Sequence, residues 1–177
     1  MIIFKKAYKK LYLKFKSELE DLYITTFSKG ISAQYISKQD ADTYLNEIFK
    51  KGFGVFGFNE DQIIAALLVT PISFDSERPE NIKLNYSDKN TVYIAEVLVD
   101  ERFRGQGLGR KIMEKFDETL DKEIKYVILR VWTENKPAVS LYEKSGFQTI
   151  AQIIQQKLKP NQKDKFTMHK NYMLKSY

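Results

Sequence analysis

The chain has 177 residues, 43% hydrophobic and 14% aromatic, which is enough for one full hydrophobic core and too apolar for a disordered polypeptide. It contains no cysteine, which excludes disulfides, thiolate metal sites and a cysteine nucleophile and fits a reducing, cytoplasmic setting. The net charge of +6 comes mainly from lysines interleaved with acids, so a nucleic-acid partner is not expected, although a small polyanion would be attracted.

No apolar run has the length of a transmembrane helix, and Met1 to Lys6 lack a signal-peptide layout, so no membrane partner is expected. Ile2 to Tyr8 fits a short strand. Leu11, Phe15, Leu19, Leu22 and Thr26 then share one helical stripe, predicting a helix over Lys10–Phe27. Ser28 to Gln39, with Gly30, reads as a loop. Ala41, Tyr44, Leu45, Ile48 and Phe49 form a second amphipathic stripe, closed by Gly52. A hairpin follows, Phe53–Phe58 and Ile63–Val69 around a turn at Asn59–Asp61, and its second strand is apolar on both faces, as in a sheet covered by helices on each side. Thr70 to Asn90, with Pro71, Pro79 and several acids, reads as a long connection of the kind that tends to carry function.

Val92 to Val99 is a nearly all-apolar strand interrupted by Glu96. It leads into Arg104-Gly105-Gln106-Gly107-Leu108-Gly109, which opens a helix with Leu108, Ile112, Met113, Phe116 and Leu120 at helical spacing. A glycine-rich turn between a strand and a helix start is suited to a phosphate group. Backbone N–H groups there have no intrahelical partner, the helix dipole favours anions, and glycine leaves room for close approach. The run is neither a P-loop, which needs G-x-x-x-x-G-K-[ST], nor the G-x-G-x-x-G dinucleotide fingerprint. Tyr126 to Trp132 is another strand. Asn135 to Phe147 then contains a helix entered at Pro137 and left at Gly146. Phe147–Lys157 and Phe166–Leu174, around a polar turn at Pro160–Asp164, read as a closing hairpin.

Arg104-x-x-Gly107-x-Gly109 and, about thirty residues on, Asn135-x-x-Ala138-x-x-Leu141-Tyr142-x-x-x-Gly146-Phe147 occur in the order and spacing of two signatures of the GNAT superfamily of N-acetyltransferases. Over about Thr91 to Ile150 the chain resembles that family closely; the N-terminal half is similar only in its order of elements. The resemblance implies an α/β (α+β mixed) fold. Its mixed, mostly antiparallel sheet has six to seven strands, is flanked by about four helices and has splayed central parallel strands. One domain would span residues 1–177. The resemblance also implies an acetyl-CoA-dependent transfer of an acetyl group to a primary amine, with no metal.

Within that implied chemistry, Glu96 is the candidate general base, because a carboxylate in an apolar strand is costly unless it faces a partner or a cleft. Asp100 and Glu101 are weaker candidates, read as solvated turn residues. Tyr142 is implied as the acid that protonates the departing thiolate. The backbone of Gly105, Gln106, Gly107, Leu108, Gly109 and Arg110 is implied to hold the pyrophosphate of coenzyme A. Val97, Leu98 and Val99 would pair with its pantetheine arm, and an N–H near Val97–Leu98 would polarise the thioester oxygen. Asn135 is implied to reach the cofactor, and the side chains of Arg104, Arg110 and Lys111 to help neutralise phosphates. An acyl-CoA-binding sensor without turnover is the alternative. The acceptor is a small-molecule or peptide amine; Asp75, Glu77, Glu80 and Asp88 are read as a solvated acidic loop or as an attractor for a cationic amine. Family members often form homodimers.

Overall fold

The computed structural model of the chain describes residues 1–30 and 33–177; Ile31 and Ser32, in the loop expected at Ser28–Gln39, lie outside the described residues. Strand β1 (Ile2–Ala7) leads into helices α1 (Lys9–Lys14) and α2 (Lys16–Ser28). The single helix expected over Lys10–Phe27 is therefore interrupted at Phe15, whose φ of −113° and ψ of 21° leave the helical range. The Phe15 ring packs against Phe58 at 5.0 Å between centroids. Helix α3 (Lys38–Lys51) begins at Ser37, whose Oγ accepts from the Asp40 N–H at 3.0 Å and so satisfies one of the free donors of a helix start. Its stripe of Ala41, Leu45, Ile48 and Phe49 is buried, as the spacing predicts. Just beyond it, a Cβ on Gly52 would lie 1.8 Å from the Val69 carbonyl oxygen, so only glycine lets the chain pass there.

Strands β2 (Phe53–Asn59) and β3 (Gln62–Pro71) form the expected hairpin, and β3 is buried at every position from Ile63 to Thr70. The connection after it is more ordered than its composition suggests. It contains a 3-10 turn at Ile72–Phe74 and a short helix, α4 (Glu80–Asn85), pinned by the buried Ile72 and Ile82. Then follow β4 (Thr91–Val99), α5 (Leu108–Thr119), β5 (Tyr126–Trp132), α6 (Lys136–Lys144), β6 (Gln148–Leu158) and β7 (Lys165–Ser176). The seven strands form one sheet in the order β1-β2-β3-β4-β5-β7-β6, antiparallel throughout except for the β4–β5 pair. This is the mixed α/β architecture expected, with six α-helices among the described residues rather than about four. None of them is long and apolar enough to cross a membrane.

The sheet is packed on both faces. On one, Ile112, Met113 and Phe116 of α5 meet Leu67, Leu129 and Val131. On the other, Tyr12, Leu19, Leu45 and Ile48 of α1–α3 cover Phe56, Leu68 and Leu98, and farther along Ile72 and Ile82 cover Tyr93, Ile128 and Tyr172. Two irregularities at the centre of the sheet matter for function. Pairing between β4 and β5 runs from Thr91–Tyr126 to Ile94–Leu129 and stops there, so beyond Ile94 the two parallel strands diverge. At the same point β4 carries a bulge: Ile94 opposes Val69 and Glu96 opposes Leu68, leaving Ala95 without a partner on β3. A bulge inserts one residue and resets the alternation of side chains. Before it, Ile94 belongs to the α5 core and Tyr93 to the opposite face; after it, Val97 and Val99 pack on the α5 side and Leu98 on the other. The bulge therefore sends Glu96 to the face away from α5; an unbroken strand would have placed it beside Ile94.

Candidate active site

The divergence of β4 and β5 opens a cleft of about 470 Å³, lined by Glu96, Val97, Asn135, Ala138 and Tyr142 and by aromatic residues of α2, α3 and the 3-10 turn. Glu96 lines the cleft and is half-buried. Its Oε1 accepts a hydrogen bond from Tyr44 Oη at 2.9 Å. Burial pushes its carboxyl up to about 7, against the opposing pull of the Tyr44 hydrogen bond and of Lys170, Arg130 and Lys157. A carboxyl with that value exchanges protons readily near neutral pH.

Tyr142 is displayed by α6 as the sequence predicts. Asn135 caps the helix, its side chain accepting from the Ala138 N–H at 3.4 Å, and Pro137 lies in the first turn, where it costs no hydrogen bond. At the other end, the Phe147 N–H bonds to the Tyr142 carbonyl at 3.0 Å and Gly146 takes a φ of 91°, closing the helix behind the tyrosine. The Tyr142 side chain is buried and lines the same cleft as Glu96. Burial, reinforced by the negative charge of Glu96, raises its phenol well above the ordinary value, so it holds its proton.

The glycine turn lies between β4 and α5. Gly105 and Gly107 have φ of 75° and 74°, left-handed values that glycine adopts without strain. A Cβ on either would meet no atom within 4 Å, whereas on Gly109 it would press on Leu141 at 2.9 Å. The first two glycines thus leave open space above the turn, and the third lets α5 pack on α6. Among the described residues, none of the N–H groups from Gly105 to Arg110 finds a backbone or side-chain acceptor, and no side chain caps α5. Leu108 is buried. Arg110 pairs with Glu114 at 3.5 Å, and Gln106 Nε2 donates to the Arg102 carbonyl at 3.4 Å.

Val97 to Val99 have no strand partner on the β5 side. The Asp100 N–H points to β3, donating to Ile64 O at 2.8 Å, so by alternation the polar groups of Val99 and Val97 turn to the open edge. Arg104 Nε donates to the Val99 carbonyl at 3.1 Å, which ties its guanidinium back to that edge. The Leu98 side chain is fully buried on the face away from α5, and by the same alternation its N–H and carbonyl turn to β3, so Leu98, expected to pair with the cofactor, offers the cleft no polar group. Asp100 caps the short turn after β4 by accepting from the Arg102 N–H at 2.9 Å, and Glu101 pairs with Lys29 at 2.7 Å.

Two groups of site residues were not marked by sequence. Tyr44 falls within the apolar stripe of α3, and nothing in the sequence sets it apart from its neighbours there. Asp75, read as part of a solvated acidic loop, is instead buried. It accepts from Tyr172 Oη at 2.7 Å, and with Glu77 it holds Arg130, which reaches the two carboxylates at 3.4 and 2.8 Å. Arg130 interrupts an apolar strand as Glu96 does, so the same reasoning would have flagged it. The other two acids of the connection also have partners: Glu80 pairs with Lys83 at 3.6 Å, and Asp88 accepts from the Ser73 hydroxyl at 2.6 Å. No cluster of metal-ligating side chains occurs among the described residues.

The chain is similar in sequence and in fold to several known acetyltransferases. Thialysine N-epsilon-acetyltransferase of Mus musculus is 29% identical over 106 residues, 54% of this chain and 62% of that protein; its Bos taurus counterpart is 37% identical over 62 residues, 34% and 36% of the two. Spermine/spermidine N(1)-acetyltransferase of Bacillus subtilis is 32% identical over 59 residues, 32% of this chain and 39% of that protein. The chain thus matches between about a third and three-fifths of the length of these relatives. In fold it is similar over 99% of both chains to the ribosomal-protein-alanine N-acetyltransferase of Brucella melitensis (TM-score 0.72, 15% identity). It is also similar to a Salmonella typhimurium structure described with its cofactor acetyl-CoA (TM-score 0.71, 13% identity, 99% and 94% covered). The family model described as "Acetyltransferase (GNAT) family" matches residues 16–147, from the first residue of α2 to the residue behind the Tyr142 helix, and the chain belongs to that family.

Proposed function

We propose that this chain transfers an acetyl group from acetyl-CoA to a primary amine by direct attack in a ternary complex. The observation that carries the reading is that Glu96 and Tyr142, one carboxyl poised near neutrality and one phenol held protonated, face a single cleft where β4 and β5 part. The turn over Gly105–Arg110 fits a diphosphate: it offers free N–H groups at a helix start and open space above two left-handed glycines. The open edge of Val97–Val99 fits an extended amide-bearing arm, which would add to it as a strand does.

Acetyl-CoA supplies the thioester. Glu96, directly or through a water, takes a proton from the acceptor amine, which at an ordinary pKa of about 10.4 would otherwise remain an ammonium and could not attack. The free edge of β4 around Val97 offers an N–H to the thioester oxygen as negative charge builds on it. Tyr142 gives its proton to the departing sulfur. The chain has no cysteine that could carry the acetyl group in between, which favours direct attack. Calorimetric titration with acetyl-CoA, followed by free-thiol release over a panel of amines, tests the proposal. Binding with turnover supports it, binding without turnover supports a sensor of acyl-CoA, and no binding rejects both.

A further inference from the structure

The acceptor end of the cleft has an unusual charge arrangement. Past the bulge, Glu96 lies on the sheet face away from α5. On β7, Lys170 shares that face with Tyr172, two residues on, and pairs in register with Trp132 and Ile153. On β6, Ile153, Gln155 and Lys157 alternate onto the same face, where Ile153 packs with Tyr172. Lys157 and Lys170 both line the cleft with Glu96, and both are half-buried. Neither makes a hydrogen bond or ion pair to a described residue. The acids that would ordinarily balance them are taken: Asp75 and Glu77 hold Arg130, and Glu77 also accepts from Gln155. Glu96, the remaining acid of the cleft, is bonded to Tyr44.

Resting on the proposed transferase reading, we propose that the acceptor is an amine that also bears an anionic group, a carboxylate or a phosphate, and that Lys157 and Lys170 receive that group while Glu96 receives the amine. Two half-buried ammonium groups without partners are costly, and an anion arriving between them relieves the cost. The crowding is felt at Lys170, whose ammonium is brought down to about 8 by burial and by the neighbouring Arg130 and Lys157. The same two cations lower the pKa of an amine bound beside them, which eases its deprotonation by Glu96. They oppose a polyamine, whose remaining ammonium groups would face like charge. The aromatic side chains of Tyr23, Phe27, Tyr44 and Phe74, in sequential contact at 5.1 to 6.0 Å between ring centroids, line the same cleft and suit an apolar carbon frame between the two polar ends.

The test is free-thiol release by the full chain with acetyl-CoA and matched acceptors that differ by one anionic group. The pairs are tyrosine against tyramine, lysine against cadaverine, and glucosamine 6-phosphate against glucosamine, with spermidine alongside. An acid-bearing member should exceed its stripped partner about tenfold or more in kcat/KM, and the pair that shows this separates carboxylate from phosphate. Lys157→Met and Lys170→Met should each raise the KM for that acceptor about tenfold while leaving the KM for acetyl-CoA within about twofold, and Lys170→Arg should restore the acceptor KM. Thiol release with spermidine or the stripped amines equal to or better than with the acids overturns the proposal and leaves the transferase reading intact. Methionine variants that keep the acceptor KM also overturn it. Absence of thiol release from every amine, with acetyl-CoA bound, rejects turnover itself and this inference with it.

Discussion

Burial of Glu96 beside the Tyr44 hydroxyl acts on stability as well as on chemistry. Its carboxyl is raised from an ordinary 4.5 to about 7 by desolvation. Between those values the folded chain holds a proton that the unfolded chain has released. Stability therefore falls as pH rises through that window, and the full cost is present above about 7. The groups facing this carboxyl are Tyr23 from α2, Tyr44 from α3, Tyr93 from β4, Arg130 from β5, Tyr142 from α6, Lys157 from β6 and Lys170 from β7, and the pull of Tyr44 and the three cations is too weak to cancel the burial. Glu96→Gln should consequently be more stable than the native chain at pH 8, by up to about 3 kcal/mol, and no more stable at pH 4. Thermal melts at the two pH values check this, and equal shifts at both would show that the carboxylate is not desolvated. The same variant should lose about a hundredfold in turnover and the rise in kcat/KM centred near pH 7. Tyr142 makes a complementary prediction. Because its phenol stays protonated, Tyr142→Phe should lower turnover about a hundredfold while changing the acetyl-CoA Kd by less than about twofold; turnover at the native rate would remove it from the mechanism.

At the scale of elements, the start of α5 joins backbone conformation to binding. Gly107 is the residue before the helix and has a φ of 74°, so an L-residue there costs about 1 kcal/mol in strain without a steric clash. Its new methyl group would project into the space above the turn. Gly107→Ala should therefore melt slightly lower and bind acetyl-CoA about tenfold more weakly, as calorimetry can measure. This part of the site was legible from the chain. Glycines between an apolar strand and an amphipathic helix, Pro137 and Gly146 bracketing a tyrosine, and a carboxylate inside a strand are all local signals, and each reports a local conformation. Three features were not legible, because tertiary contacts determine them. No proline or glycine marks the break at Phe15. Helix α4 is too short to show a period and is fixed by Ile82 docking under the sheet. The bulge at Ala95 leaves no trace in the apolar run Val92–Val99, yet it decides which side of the sheet receives Glu96.

In the whole molecule, the sheet is continuous except where its one parallel pair separates. A ligand that pairs with Val97–Val99 and with the N–H groups of Gly105–Arg110 would bind the folded chain alone. At a hundredfold excess over its Kd, acetyl-CoA should add about 2.7 kcal/mol of stability. The slowing of hydrogen exchange should be strongest in those two segments, and uniform protection across β1 and β2 instead would place the ligand elsewhere. The divergence of β4 from β5 has one more consequence, in how the protein survives among its neighbours. An unsatisfied β-edge on the rim of a sheet invites strands of other chains and seeds aggregation. Here the unsatisfied edge lies in the middle of the sheet, walled by α5 and α6 on one side and by α2 and α3 on the other. A thin flexible chain can reach it; a rigid strand from another protein cannot. The few unpaired amides that a ligand can reach are thus the ones a neighbouring chain cannot.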